Sequence, residues 1–237
     1  MASVISFLEG KNVFIFDTET TGLPLRVPGA KWGSTSEYWP YNMNEKYDSA
    51  RIVSIAWSFI PAFNKSTLPE QPIQSAIRFP PPEMLDIPTS HIHGITYEMA
   101  KQQGIQFADI LADHDNRNSY GNSNNCGGLE NAILNAEYII AHNVMFDVHI
   151  LLNELWRLGN DRAMACIAHI NKLLAIGRCI CSGELGRGIC KIPYKNSKRY
   201  KMPKLVELYR HFFECEFEGQ HSADGDVRAL LYCLSRM

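Results

Sequence analysis

An unbroken apolar run, Val13 to Phe16, passes directly into Asp17 and, two positions on, Glu19, in the stretch VFIFDTETTG. β-branched and aromatic residues at this density read as a buried strand. Successive strand side chains alternate between faces, so if the extended backbone continues to Glu19, both carboxylates leave the strand on one side. Like charges held side by side repel, and the usual remedy is a cation between them. An all-oxygen site suits magnesium or manganese. A D-x-E pair alone is a weak motif, and it equally fits a decorated strand end or the cap of a following helix. Its meaning depends on which other acids the chain brings to the same place.

Arg51 to Ile60, RIVSIAWSFI, reads as a second strand, and Gln74 to Phe79 as a third, ended by Pro80 to Pro82, which lack amide donors. TYEMAKQQG predicts a helix capped by Thr96 and closed by Gly104, and IQFADILADHDN a second. A short helix, a fourth strand in EYIIAHN, and a helix over Val144 to Leu158 follow, the last with Phe146, Ile150, Leu151, Leu155 and Leu158 near one stripe. PKLVELYRHFF reads as a helix, and the final helix starts at Ser222 with Val227, Leu230, Leu231 and Leu234 facing inward. Strands first, then helices interleaved with strands, imply an α/β domain with a mixed central sheet and helices on both faces. The expected organisation is one domain over residues 1–237 with two long loop insertions, at about 24–50 and 116–128.

With 46% apolar and 20% charged residues, disorder as the main state is excluded. A net charge of -2 gives no overall basic field, so a polyanionic partner must be met by a local patch. Seven cysteines in no regular array argue against a disulfide framework. No window approaches the apolar length of a membrane span, so the expectation is a soluble intracellular protein of cytoplasm or nucleus with no membrane partner.

Two further segments carry acids. In IIAHNVMFD the fourth strand leads through Asn143 into a helix with Asp147 near its start, where an acid also suits the helix dipole. In HSADGDVRALL, His221 precedes a helix and Asp226 lies about one turn inside it. A histidine outside a helix start can swing while an acid on the helix is held, which fits a mobile proton acceptor beside a fixed ligand. Singly, each segment also reads as an ordinary helix start.

Together, FDTETTG, AHNVMFD and HSADGD, the last in the pattern H-x-A-x-x-D, resemble the DEDDh 3'-to-5' exonucleases. That superfamily includes the epsilon subunit of bacterial DNA polymerase III, ribonuclease T and the three-prime repair exonucleases. HIHGIT, His91 to Thr96, looks like the loop many members place between the third strand and the substrate. The resemblance implies a ribonuclease H-like fold with Asp17, Glu19, Asp147 and Asp226 at one spot, holding two divalent ions, Mg2+ or Mn2+. Asp17 would bridge both, Glu19 and Asp226 complete the water-bearing one, Asp147 act directly or through water, and His221 take the proton. By spacing from His221, Asp226 fills the last position and Asp224 is a solvated charge. The reaction implied is removal of nucleoside 5'-monophosphates from the 3' end of single-stranded or frayed nucleic acid, DNA favoured. Family analogy puts the terminal 3'-hydroxyl against Glu19 and the amides around Thr18 and Thr20, with Leu23 wedged between the last two bases. His93 and Asn143 are further contacts by the same analogy, or else a turn residue and a backbone cap.

KIPYKNSKRYKMPK, Lys191 to Lys204, clusters Lys198, Arg199 and Lys201 with Tyr194 and Tyr200, cations to neutralise phosphates and rings to face bases. Trp32, Tyr38, Trp39, Tyr41 and Tyr47 are expected to pin the first long loop to the body rather than stack on bases. The partner read from the sequence is nucleic acid with a free 3' end; a DNA polymerase is compatible with the family, although no polymerase-binding segment is evident. The alternatives are a 3'-to-5' exoribonuclease and a non-catalytic nucleic-acid-binding module of the same fold. Loss of a motif acid would mark the latter, and none is lost.

Overall fold

The structure is a computed structural model that describes residues 3–31, 34, 36–112, 128–194 and 199–237. Five strands form one sheet: β1 (Val13–Thr20), β2 (Ile52–Ile60), β3 (Gln74–Ile77), β4 (Tyr138–Ala141) and β5 (Cys179–Cys181), in the order β3-β2-β1-β4-β5. β1–β2 and β2–β3 are antiparallel, whereas β1–β4 and β4–β5 are parallel. β1 is therefore the central strand, and its alternation sorts the core into two halves. Phe14 and Phe16 face α3 (Phe107–Ala112), α4 (Leu129–Asn135), α5 (Val144–Leu158) and α6 (Asp161–Ala175). Val13 and Ile15 face α8 (Leu205–Phe213) and α9 (Ala223–Arg236). The mixed sheet with helices on both faces is as the sequence implies.

The helices begin and end where their local chemistry dictates. Thr96 caps α2 (Tyr97–Gln103) by accepting from the Met99 amide at 3.2 Å, Asn160 caps α6 from Ala163 at 2.9 Å, and Ser222 caps α9 from Gly225 at 3.3 Å. Gly159, at φ 64°, ends α5 in the left-handed conformation. Val227, Leu230, Leu231 and Leu234 of α9 are at most 1% exposed, each burial stabilising by about 1.5–3 kcal/mol.

Three elements were not read from the sequence: α6, β5 and α7 (Ser182–Cys190). α6 packs on α4 and α5, and β5 extends the sheet beside β4. HIHGIT supplies a short turn of helix, α1 (Ser90–His93), closed by Gly94 at φ 77°.

The loop after β1 is fastened down by its aromatics. Tyr47 is fully buried and donates its hydroxyl to the Trp39 carbonyl; Tyr38 is buried; Trp39 and Tyr41 pack on the same core. Asn153 of α5 donates to the Tyr41 carbonyl at 2.7 Å. This is the pinning role expected of the set, with Trp32 outside the described residues. The loop expected at 116–128 also lies outside them, except for Gly128.

A buried ion network ties the start of β2 to α5. Glu154, 1% exposed, takes Arg51 Nε at 2.8 Å and Nη2 at 3.1 Å, the Ile52 amide at 3.1 Å, and the Arg78 guanidinium at 2.5 Å, the last an ion pair without hydrogen-bond angles. α5 is thereby fixed along its length relative to the sheet, which matters because Asp147 sits near its N-terminus.

Candidate metal centre

β1 stays extended through Thr20, so the alternation that buries Val13 and Ile15 carries Asp17 and Glu19 out on that same face, toward α9. Asp226 stands in the first turn of α9. Carboxylate oxygens of Asp17, Glu19 and Asp226 lie within 4.8 Å of one another, the only such group of three or more metal-ligating side chains among the described residues. Asp224, the competitor for the last position, is exposed and outside the group.

Asp147 comes from the opposite face. It is 2% exposed, and its Oδ1 accepts from the Thr18 amide at 3.1 Å and the Thr18 hydroxyl at 2.7 Å. Thr18 alternates with Asp17 and Glu19, so it points toward α5 while they point toward α9. The fourth acid thus reaches the strand between the other two, held by a donor pair. It is the largest charged neighbour acting on Asp17. A surface charge at a helix start would not be buried in this way.

Burial and mutual repulsion together oppose ionisation of these acids. Burial, then the charges of Asp147, Asp226 and Glu19, hold Asp17 well above the ordinary carboxylate range. Burial, then Asp226, pushes Glu19 up to about 7. Asp147 is raised by burial to about 7 against the two Thr18 hydrogen bonds, which favour its ionised form. Asp226 is also raised to about 7 by burial, with a hydrogen bond from the His221 backbone working against it. Of these carboxylates, Asp17, Glu19 and Asp226 stand close enough together to share a hard cation, whose charge would reverse their shifts, while Asp147 lies outside that 4.8 Å group. All-oxygen donors at this spacing fit a magnesium-like ion.

His221 is exposed at the edge of the group, at φ 63°, a left-handed conformation that histidine enters more readily than most residues. Its amide reaches Asp226, while its imidazole makes no hydrogen bond among the described residues.

The substrate-contact expectations divide. Leu23 is 75% exposed although its carbonyl is tied to Ser49 Oγ at 2.8 Å, and it rims a cavity of about 610 Å3 with Gly22, Ser49, Arg51 and the 80% exposed Leu85. Asn143 takes the left-handed conformation, φ 65°, at the start of α5 and makes no side-chain cap bond, so its carboxamide is uncommitted. Thr18 spends both amide and hydroxyl on Asp147, and Thr20 gives its hydroxyl to the Gly22 carbonyl at 2.7 Å.

His93 is 9% exposed, with Nδ1 accepting from the Ile95 amide at 3.2 Å and Nε2 3.0 Å from Thr89 Oγ1, which donates to the Thr20 carbonyl at 2.6 Å. The ring braces the end of β1. Lys201 is bound to both Glu207 carboxylate oxygens, at 2.6 and 2.8 Å, and its charge is spent there; Arg199 is exposed, and Lys198 lies outside the described residues. Sequence reasoning missed the Thr18 clamp on Asp147, whose partners are 129 residues apart.

No family model and no curated protein matches the chain. Solved structures do. Exonuclease I, in a structure bearing on its processivity, matches 94% of this chain at 16% identity and TM-score 0.55. The zinc-bound complex of Escherichia coli exonuclease I with single-stranded DNA matches to the same extent, 94%, 16% and 0.55. Exonuclease I from Methylocaldum szegediense matches 95% at 16% identity and TM-score 0.57. This chain spans about two fifths of their length, 39% to 40% of each. At such identity the likeness is one of fold, and it bears out the ribonuclease H-like architecture.

Proposed function

We propose that the chain is a divalent-metal-dependent 3'-to-5' exonuclease of the DEDDh type, acting on single-stranded or frayed nucleic acid with DNA favoured. The observation that carries the proposal is the meeting of Asp17, Glu19 and Asp226 within 4.8 Å on one face of β1, with Asp147 clamped behind them by Thr18. Asp17, Glu19 and Asp226 would hold the ions, with Asp147 completing the set. Bound Mg2+ or Mn2+ supplies a nucleophile from water at neutral pH and neutralises charge on the phosphoryl and leaving oxygens.

The chain's own groups do the rest. Exposed and without a hydrogen-bond partner among the described residues, His221 would take the proton released as water attacks phosphorus and the bond to the leaving 3'-oxygen breaks, and would pass that proton to solvent. Leu23, exposed at the rim of the 610 Å3 cavity, would insert between the last two bases, and Asn143 would hold the sugar-phosphate. The likeness in fold to exonuclease I, seen with single-stranded DNA, supports a strand rather than a small phosphoester as substrate. Arg199 and the neighbouring tyrosines at 194 and 200, 50% and 41% exposed, would receive the strand further out.

The test is incubation of 5'-labelled single-stranded DNA, double-stranded DNA and RNA with Mg2+ or with chelator, beside Asp17→Ala. A metal-dependent ladder of shortened strands, lost in Asp17→Ala and stopped by a blocked 3' end, is expected. Cleavage of the blocked strand would make the enzyme an endonuclease, and a gel shift without shortening would leave only a binding module.

A further inference from the structure

His142 stands beside the acids without belonging to them. Ile140 of β4 is level with Ile15 of β1, and both lie in the core under α8 and α9. Two residues on, His142 leaves β4 level with Asp17, one strand away, and neighbouring strands lie about 4.8 Å apart. Its Nδ1 is 2.9 Å from the hydroxyl of the buried Ser182, and its Nε2 is 3.0 Å from the Pro203 carbonyl. Burial pushes its pKa down to about 4, so the ring is neutral. A carbonyl only accepts, which puts the proton on Nε2 and leaves Nδ1 to accept from Ser182. Both nitrogens are spent, and what the ring does is hold Pro203.

Pro203 is the root of an arm. Residues 192–194 and 199–201 pair antiparallel, with the Lys201 amide donating to the Ile192 carbonyl at 2.8 Å, the Tyr194 amide to the Arg199 carbonyl at 3.0 Å, and Pro193 opposite Tyr200. Lys191, at φ 50°, turns the chain out of α7, and Arg187 of α7 donates to the Tyr200 carbonyl at 2.7 Å. Met202, next to Pro203, is wedged at the start of α7: a Cβ on Gly183 would lie 2.8 Å from Met202 Cγ and 3.2 Å from His142 Cε1. The arm is therefore fixed at its base, while the rings of Tyr194 and Tyr200 stay 50% and 41% exposed. Residues 191–204 carry six lysines and arginines and no acid, in a chain of net charge -2. Cations interleaved with exposed rings suit the phosphates and stacked bases of a single strand.

We propose that the arm holds a single strand whose 3' end lies at the acids, and that His142 is the positioning residue that sets the arm's place relative to them. The arm's role rests on the reading of the acids as a nuclease centre, and it makes an oligonucleotide that spans acids and arm a better substrate than a dinucleotide. Binding is measured where hydrolysis is absent, in the full chain carrying Asp17→Ala with chelator present, so a wild-type chain that shortened no strand would count against the nuclease reading and leave the arm's test intact.

The experiment reads fluorescence anisotropy of a 5'-labelled oligothymidylate of about 12 nucleotides, within the site sizes of single-strand binders. Alanine at both Tyr194 and Tyr200 should weaken binding by roughly tenfold, the worth of one stacked base. His142→Leu should weaken it by roughly tenfold as well, and His142→Gln, whose Nε2 can still donate to Pro203, by less than about threefold. Combining His142→Leu with the tyrosine pair should weaken binding by less than the product of the two, because one change acts through the other. A cooperative thermal transition shows that His142→Leu has folded; where it has not, Gly183→Ala, which displaces Met202 at the same root, takes its place with the same expectation. In the active chain, kcat/KM for the oligomer over that for the dinucleotide should fall with the affinity. No binding by the parent, undiminished binding without the two tyrosines, or undiminished binding by folded His142→Leu or Gly183→Ala would overturn the proposal.

Discussion

Asp226→Asn removes one charge from the four-acid group, and its effect on the metal-free protein can be worked out in advance. Asp226 titrates near 7 in the folded chain against an ordinary 3.8, because burial disfavours its charge. The unfolded chain releases that proton near pH 4 and the folded chain only near 7. Between those values the native state binds more protons, so stability falls as pH rises and stays low above 7. At 1.36 kcal/mol per pH unit the forfeit is about 4 kcal/mol at pH 8. Burying a carboxamide in its place costs about 1–3 kcal/mol, so the variant should gain about 2 kcal/mol. For a chain of this size that is a rise of about 4–8 °C in Tm. Asp226 also acts on Asp17 and Glu19, so their repulsion is relieved in the same direction. The assay is thermal unfolding in chelator at pH 8 and pH 4.5, then with Mg2+ at pH 8. Asp226→Asn should melt higher than wild type at pH 8, at or slightly below it near pH 4.5, and respond little to Mg2+. A variant that melts at or below wild type at pH 8 would refute the reasoning, because the acids would then not be in electrostatic conflict.

Other perturbations test the supports of the site. Thr18→Val removes the 2.7 Å hydroxyl bond to Asp147, a loss of about 1.5–3 kcal/mol for a charged acceptor, and should move the acid limb of the pH–rate profile up by about one unit; an unshifted limb would mean that Asp147 need not ionise. Gly225→Ala places a Cβ 2.2 Å from the Gly219 carbonyl oxygen, so the first turn of α9 must shift; stability should fall by about 1–3 kcal/mol in urea and activity by more than tenfold, since Asp226 moves with it. Glu154→Gln leaves Arg78 buried without a counter-charge and Arg51 with only the half-exposed Glu83, and should cost about 3–5 kcal/mol by urea unfolding.

The acids were legible only together: alone, each segment reads as a decorated strand end or an ordinary helix start, and the resemblance to the DEDDh pattern joined them. Strand alternation correctly predicted that Asp17 and Glu19 share a face, and spacing from His221 picked Asp226 over Asp224. What stayed hidden depended on distant pairing. Nothing near Thr18 announces that it grips Asp147, and nothing in HIHGIT says that His93 turns inward to brace Thr20. Lys201 reads as a free cation until Glu207, six residues on, is seen to hold it. α6 did leave a signal, with Ala163, Cys166, Ile167, Ile170 and Leu173 at helical spacing behind the Asn160 cap, whereas the three residues of β5 are too few to show a period.

The central claim is that the acids of β1, α5 and α9 form one divalent-cation site. Electron paramagnetic resonance of Mn2+, titrated into the full chain, tests it directly because the sharp signal of the free ion disappears on binding. Wild type should remove free Mn2+ with two ions bound per chain, and Asp17→Ala should leave the signal intact. Undiminished free Mn2+ with excess wild-type protein, or equal uptake by Asp17→Ala, would contradict the account.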